Sequence, residues 1–248
     1  MKTAAKVPTP AGLLDSYERG EHFCELEGLG ELAHTRDIRQ RLNALDLAGL
    51  RRRARDAGRE LLNLGITFTV YSEREAIDRV LPFDVIPRVL SKDDWRIIET
   101  GVTQRVQALN LFLHDIYHDQ HILKDGTVPA ELITGNKQYV EAMRGVDVAH
   151  GTYVHICGTD LVRDETGAFR VLEDNCRAPS GVSYVIENRH LMMRAFPDLA
   201  DGIRIADVDE YGARLRGALN EVAPQGVSHP QVALLPTTTT LRSRRICG

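Results

Sequence analysis

Asp160, Glu173 and Asn175 are the residues of this chain whose types and spacing best suit chemistry. They lie in Gly158-Thr-Asp-Leu-Val-Arg-Asp-Glu-Thr-Gly-Ala-Phe-Arg-Val-Leu-Glu-Asp-Asn175, which reads as two short strands joined by a polar turn. Successive side chains of a strand point to opposite faces, so Glu173 and Asn175 share a face and Asp174 does not. With Asp164 to Gly167 as the loop, Arg163 pairs with Ala168 and Asp160 lies opposite Val171. Cross-strand partners share a face, which brings Asp160 to the side of Glu173 and Asn175. Two carboxylates and an amide oxygen suit Mg²⁺, a hard cation that completes its shell with water and phosphate.

An acid-x-amide triplet alone is common in solvated hairpins and is a weak signal. The next segment, Cys176-Arg177-Ala-Pro-Ser-Gly-Val-Ser-Tyr184, adds weight. It sets an arginine and a Pro-Ser-Gly loop rich in backbone N–H groups beside the three oxygens. Such a loop suits an anionic substrate or a developing phosphate charge.

The elements that must position these residues are partly legible. Apolar residues from Leu42 to Leu64 repeat with helical period and predict one long helix beginning near Asp37 or Leu42, capped by Gly65. Its basic run Arg51-Arg-Arg-Ala-Arg55 reads as a solvated polar face. Ile66 to Tyr71 alternates as a strand, and Leu81 to Leu90, with two prolines, as an extended connector. Ser91 is placed to cap a helix running from Lys92 to about Gln120. His114 and His118 share one face of it, but with no H-E-x-x-H motif a hydrogen-bonded role is expected rather than zinc. Tyr153 to Cys157 reads as a strand leading into the hairpin. Val185 to Phe196 and Tyr211 to Ala223 read as helices, and Val232 to Leu235 as the start of a buried strand.

The bulk properties bound the function classes. A chain of 248 residues with 43% hydrophobic and 27% charged residues can bury a sizeable core. A net charge of −4 argues against a general nucleic-acid binder. Cysteines at 24, 157, 176 and 247 show no C-x-x-C spacing, which suits a reducing cytoplasm, and Cys157 and Cys176 read as small buried fillers. No run approaches a membrane span, so the expectation is a cytoplasmic protein with neither nucleic acid nor membrane as partner.

Several segments together resemble the circularly permuted ATP-grasp family, the glutathionylspermidine-synthase-like group. They are Gly65-Ile-Thr-Phe-Thr-Val-Tyr71, Pro82-Phe-Asp-Val-Ile-Pro87, Gln104 to Asn110, Asp115-Ile-Tyr-His118, and His155 to Arg189 with Leu172-Glu-Asp-Asn-Cys-Arg-Ala-Pro-Ser-Gly-Val-Ser-Tyr184. The resemblance covers about residues 10 to 235. It implies an α+β, ATP-grasp-like partial fold, mostly antiparallel sheet with covering helices. An irregular arm would span 1–35, a mainly helical region 36–150, the metal-binding portion 151–235 and a non-family tail 236–248.

The resemblance further implies ATP- and Mg²⁺-dependent joining of a small-molecule or peptide carboxylate to an amine through an acyl phosphate. Asp160, Glu173 and Asn175 would hold the metal, Arg177 would stabilise the reacting phosphate or tetrahedral centre, and Ser180 and Gly181 would face substrate. Two departures stand out. Gly158 occupies the place, two residues before the first metal-binding Asp, where such ligases often carry Arg. The Thr- and Arg-rich stretch after Pro236 is unlike the family continuation that would bear the nucleotide-clasping lysines. The expectation is therefore a truncated or frame-shifted chain. The alternative is a catalytically incompetent remnant that binds a ligand or a partner supplying the missing half.

Overall fold

The computed structural model describes residues 12–18, 20–25, 33–71, 76–80, 82–177, 179, 181–199 and 201–233. Ser180 and the tail from residue 234 onward lie outside the described residues. By internal packing the chain divides into two units, residues 1–109 with 156–208, and residues 110–155 with 209–248.

In the first unit the expected single helix is two, α1 (Ala33–Asn43) and α2 (Leu47–Asn63). Asp46 makes the break. Its backbone is extended and its side chain accepts the Gly49 N–H, capping α2, and this local bond outcompetes helical continuation. At the other end Gly65 takes φ +69, and the Ile66 N–H closes on the Leu61 carbonyl at 2.9 Å. That left-handed residue ends the helix as the sequence predicts. Ile38 and Leu42 of α1 meet Ala57 and Leu61 of α2, and Val85, Leu191, Phe196 and Leu199 complete the buried cluster. Within the basic run, Arg53 leaves solvent to donate to the Ala195 carbonyl and to stack on Phe196, 4.9 Å from the ring centre.

Strand β1 (Thr67–Tyr71) pairs antiparallel with β2 (Ala76–Val80), a strand that the sequence pattern did not reveal. After the irregular connector, α3 (Lys92–Tyr117) opens on a reciprocal cap. Ser91 Oγ accepts the Asp94 N–H at 3.0 Å, and Asp94 Oδ2 accepts from the Ser91 hydroxyl at 2.9 Å and its N–H at 3.2 Å. Strands β3 (Gly158–Arg163) and β4 (Phe169–Asn175) form the second antiparallel pair, and α6 (Val182–Ala195) follows them. The α+β class is thus observed, with both sheets among the described residues two-stranded and antiparallel.

The second unit holds the end of α3 from Asn110, the short helices α4 (His121–Lys124) and α5 (Ala130–Thr134), single 3₁₀ turns at Glu141–Met143 and Ala149–Gly151, and α7 (Tyr211–Glu221). Asp115 accepts the N–H groups of His121 and Ile122 at 2.9 and 3.0 Å. The Ile122 bond, foremost, lowers its carboxyl pKa. Tyr117 stacks with Tyr139 and Tyr153 at ring separations of 5.0 and 6.2 Å. The expected strand at Tyr153 to Cys157 is absent. Asn110 Oδ1 accepts both the Tyr153 and Val154 N–H groups, at 2.7 and 3.0 Å, and so takes donors that a strand ladder would need. Of the strand expected at Val232 to Leu235, Val232 and Ala233 are irregular and the rest lies outside the described residues. Among the described residues no helix is long and apolar enough to cross a membrane.

Candidate functional site

The β3–β4 hairpin puts Asp160 directly opposite Glu173, not opposite Val171. Two irregularities produce the change. The loop is one residue longer than expected, Asp164 to Ala168, so Arg163 pairs with Phe169. Leu172 is then an extra residue on β4, since Leu161 faces Val171 and Asp160 faces Glu173. A bulge puts two residues of one strand against one of the other. Leu172, 66% exposed, consequently stands on the same open side as Glu173.

Asp164 Oδ1 explains the longer loop. It accepts from the Thr166 N–H and hydroxyl at 3.0 and 2.6 Å and from the Ala168 N–H at 3.0 Å. Its Oδ2 takes Arg170 Nε at 2.7 Å. The Thr166 hydroxyl, then Arg170, hold this carboxyl far below the usual carboxylate range. Gly167 at φ +84 closes the turn in a backbone conformation that costs glycine little.

Asp160, Glu173 and Asn175 all lie exposed on one face, with Asn175 opposite Gly158. The Asn175 amide donates to Glu173 Oε1 at 3.0 Å, so the assigned rotamer leaves its Oδ1 directed elsewhere. Among the described residues no three His, Cys, Asp or Glu side chains converge on one metal position. This face instead gathers two carboxylates and one amide. That donor set is all oxygen and fits Mg²⁺, which is held by a few carboxylates and otherwise by water and phosphate. A concavity of about 500 Å³ between Phe23, Pro87, Arg88 and Leu161 to Arg163 includes none of the three. The face is open.

The opposite face is closed by charge. Asp174, 9% exposed, receives Arg105 of α3 through Nε at 3.1 Å and through the second guanidinium nitrogen. The Thr159 hydroxyl, from the facing position on β3, donates to Asp174 Oδ1 at 2.9 Å. The Arg105 bond is the main reason that the Asp174 carboxyl pKa is lowered. Nearer the turn, Arg163 is 13% exposed and spans Asp94 at 2.6 Å, Glu25 at 3.2 Å and the Gly167 carbonyl at 3.1 Å. Phe23 and Phe169 flank its guanidinium with ring centres at 4.6 and 4.4 Å. Asp94 thus caps α3 and anchors β3 at once. Sequence reasoning missed these supports. Only the alternation that turns Asp174 away from Glu173 hinted at them.

Arg177 lies two residues beyond the end of β4 and is exposed. Gly181 sits just before α6 at φ +101, a left-handed conformation suited to glycine. Ser180 lies outside the described residues. The histidine pair of α3 belongs to the second unit, and among the described residues it joins no metal-ligand cluster. His114 and His118 stack at 4.1 Å, with His118 Nδ1 2.9 Å from the His114 carbonyl.

A family model described as "A circularly permuted ATPgrasp" matches residues 87–240, which include the whole hairpin. An uncharacterized protein of Synechocystis is 45% identical over 175 residues, covering 71% of this chain and 36% of its own. An uncharacterized protein of Mycobacterium leprae is 43% identical over 190 residues, covering 77% of this chain and 33% of its own. A Frankia casuarinae protein named "Putative glutamate--cysteine ligase 2-2" is 38% identical over 172 residues, covering 69% and 20%. The chain therefore spans about a third of the length of the first two relatives and a fifth of the third.

Proposed function

Because the chain belongs to the circularly permuted ATP-grasp family, we propose that it carries the magnesium-holding hairpin of an ATP-dependent carboxylate–amine ligase. The observation that carries this reading is Asp160 set opposite Glu173, with Asn175 on the same open face. In such a reaction a carboxylate takes the γ-phosphoryl group of ATP to become an acyl phosphate and ADP leaves. An amine then displaces phosphate, loses a proton and forms the amide.

Bound Mg²⁺ would supply neutralising charge along the triphosphate. Asp160, Glu173 and Asn175 would hold it through oxygen atoms. Arg177, two residues beyond Asn175, would set a fixed positive charge where the phosphate or tetrahedral centre gains negative charge. Ser180 and Gly181 would border the substrate, Gly181 through backbone held at φ +101. The residues on the closed face make no contact with substrate in this scheme and keep the strands in register.

Calorimetric titration with Mg²⁺ and ATP, alone and together, tests the reading. Metal-dependent ATP binding that falls at least about tenfold in Glu173→Ala supports it. No binding by the folded chain sinks it. ADP release is then measured with glutamate and cysteine, the acid and amine suggested by the name of the Frankia relative. Binding without ADP release with any acid–amine pair would favour the alternative, a binding module that depends on a partner.

A further inference from the structure

The register of the hairpin makes Cys157 and Cys176 neighbours. Gly158 faces Asn175 in the last pair of the ladder, and one residue beyond the end of each strand stand Cys157 and Cys176. Their sulfurs are 3.6 Å apart, both are half-buried, and both are free thiols. Cysteines meant only to fill space need no mutual contact. Here each thiol has the other as a sulfur partner at the open end of the hairpin, next to Asn175.

We propose that Cys157 and Cys176 form an oxidation site, a reversible cross-strand disulfide that closes the base of the hairpin. A disulfide has an S–S length of about 2.05 Å, so closure asks the sulfurs to approach by roughly 1.5 Å, at two positions that flank the last pair of the ladder. The oxidant is a low-molecular-weight disulfide. One cysteine, as thiolate, attacks it, forming a mixed disulfide and releasing one small thiol. The other cysteine loses its proton and attacks the protein-bound sulfur, expelling the second small thiol. The protein pair gives up two electrons and two protons, and the small disulfide is reduced to two thiols.

The surroundings agree with this chemistry. Behind Cys157, the Thr159 hydroxyl lies 3.5 Å from its sulfur and links the pair to the Asp174–Arg105 support. Closure would shorten the freedom of the ladder beside Asn175, where the hairpin opens to the proposed metal face.

The test uses the full chain as Cys24→Ser/Cys247→Ser, which leaves this pair alone, with the unaltered chain alongside. Each is incubated with oxidised glutathione while folded and again in urea, then mapped by mass spectrometry without reduction. The expected result is an intrachain Cys157–Cys176 link at least about tenfold more abundant in the folded chain, because the fold holds the sulfurs at high effective concentration. Amide exchange across β3 and β4 is expected to slow about tenfold on oxidation and to recover with reductant. Thiols that stay free in the folded chain overturn the proposal. So does glutathione retained on single cysteines, or a link no more frequent folded than in urea. The link does not depend on the ligase reading. A folded chain that forms it but binds no Mn²⁺, reduced or oxidised, supports the thiol site while removing the metal reading.

Discussion

The two faces of the β3–β4 hairpin are built from the same strands to opposite specifications. On one, Asp160, Glu173 and Asn175 stand exposed, and the Asn175 amide donates to Glu173. On the other, Asp174 and Arg163 are drawn into bonds with Arg105, Thr159, Asp94 and Glu25. Polar groups removed from water must be paired, whereas groups left in water can wait for a ligand. The difference teaches that acidity alone does not mark a binding site. Asp174 is as acidic in sequence as Glu173, yet its charge is already spent on an arginine.

Substitutions should separate the faces sharply. Arg163→Ala removes the cation shared by two part-buried carboxylates and two aromatic rings. It is expected to cost about 3 kcal/mol of stability, measured by urea denaturation. Arg163→Lys should recover only part of this, because an ammonium cannot fork between Asp94 and Glu25 as a guanidinium does. Asp174→Ala should cost about 2 kcal/mol by the same measurement, tempered by the solvent that already reaches Arg105. On the open face, Glu173→Ala should change stability by no more than about 0.5 kcal/mol while lowering Mn²⁺ affinity at least about tenfold, read by electron spin resonance. If instead it unfolds the chain as badly as Asp174→Ala, the contrast between the faces fails.

Acid offers a gentler probe. The Asp174 pKa is lowered from an ordinary 3.8, so the folded state binds its proton less readily than the unfolded one. The stability it contributes is complete above that ordinary value and is lost as pH falls through the lower, folded value. Unfolding midpoints should therefore decline below about pH 4, and less steeply in Asp174→Asn. On the closed face, Thr159→Val is expected to have the smallest effect, about 1 kcal/mol for one hydrogen bond.

Much of this hairpin was readable in advance. Its two strands, the shared face of Glu173 and Asn175, and the cap at Ser91 follow from local alternation and capping chemistry. Other elements were not, each for a local reason with a distant consequence. The helix read from Leu42 to Leu64 is interrupted because Asp46 satisfies a backbone donor better as a cap than as a helical residue. The strand read at Tyr153 is displaced because Asn110, more than 40 residues away, claims two of its donors. Strand β2, with Arg and Asp among its five residues, lacks the apolar alternation that would announce it.

The sequence by itself determined that Glu173 and Asn175 look the same way and Asp174 the other, because a period of two is a property of extended backbone. It also determined the oxygen chemistry of that face and the family to which the chain belongs. Only the tertiary structure decided the partners. The bulge at Leu172 selects the residue that faces Asp160. Packing of α3 selects Asp174 as the carboxylate to be neutralised, and the register carries Cys157 to Cys176. Register and pairing depend on residues far apart in the chain. Their free energy is settled by burial and by polar groups finding partners, neither of which a local pattern records.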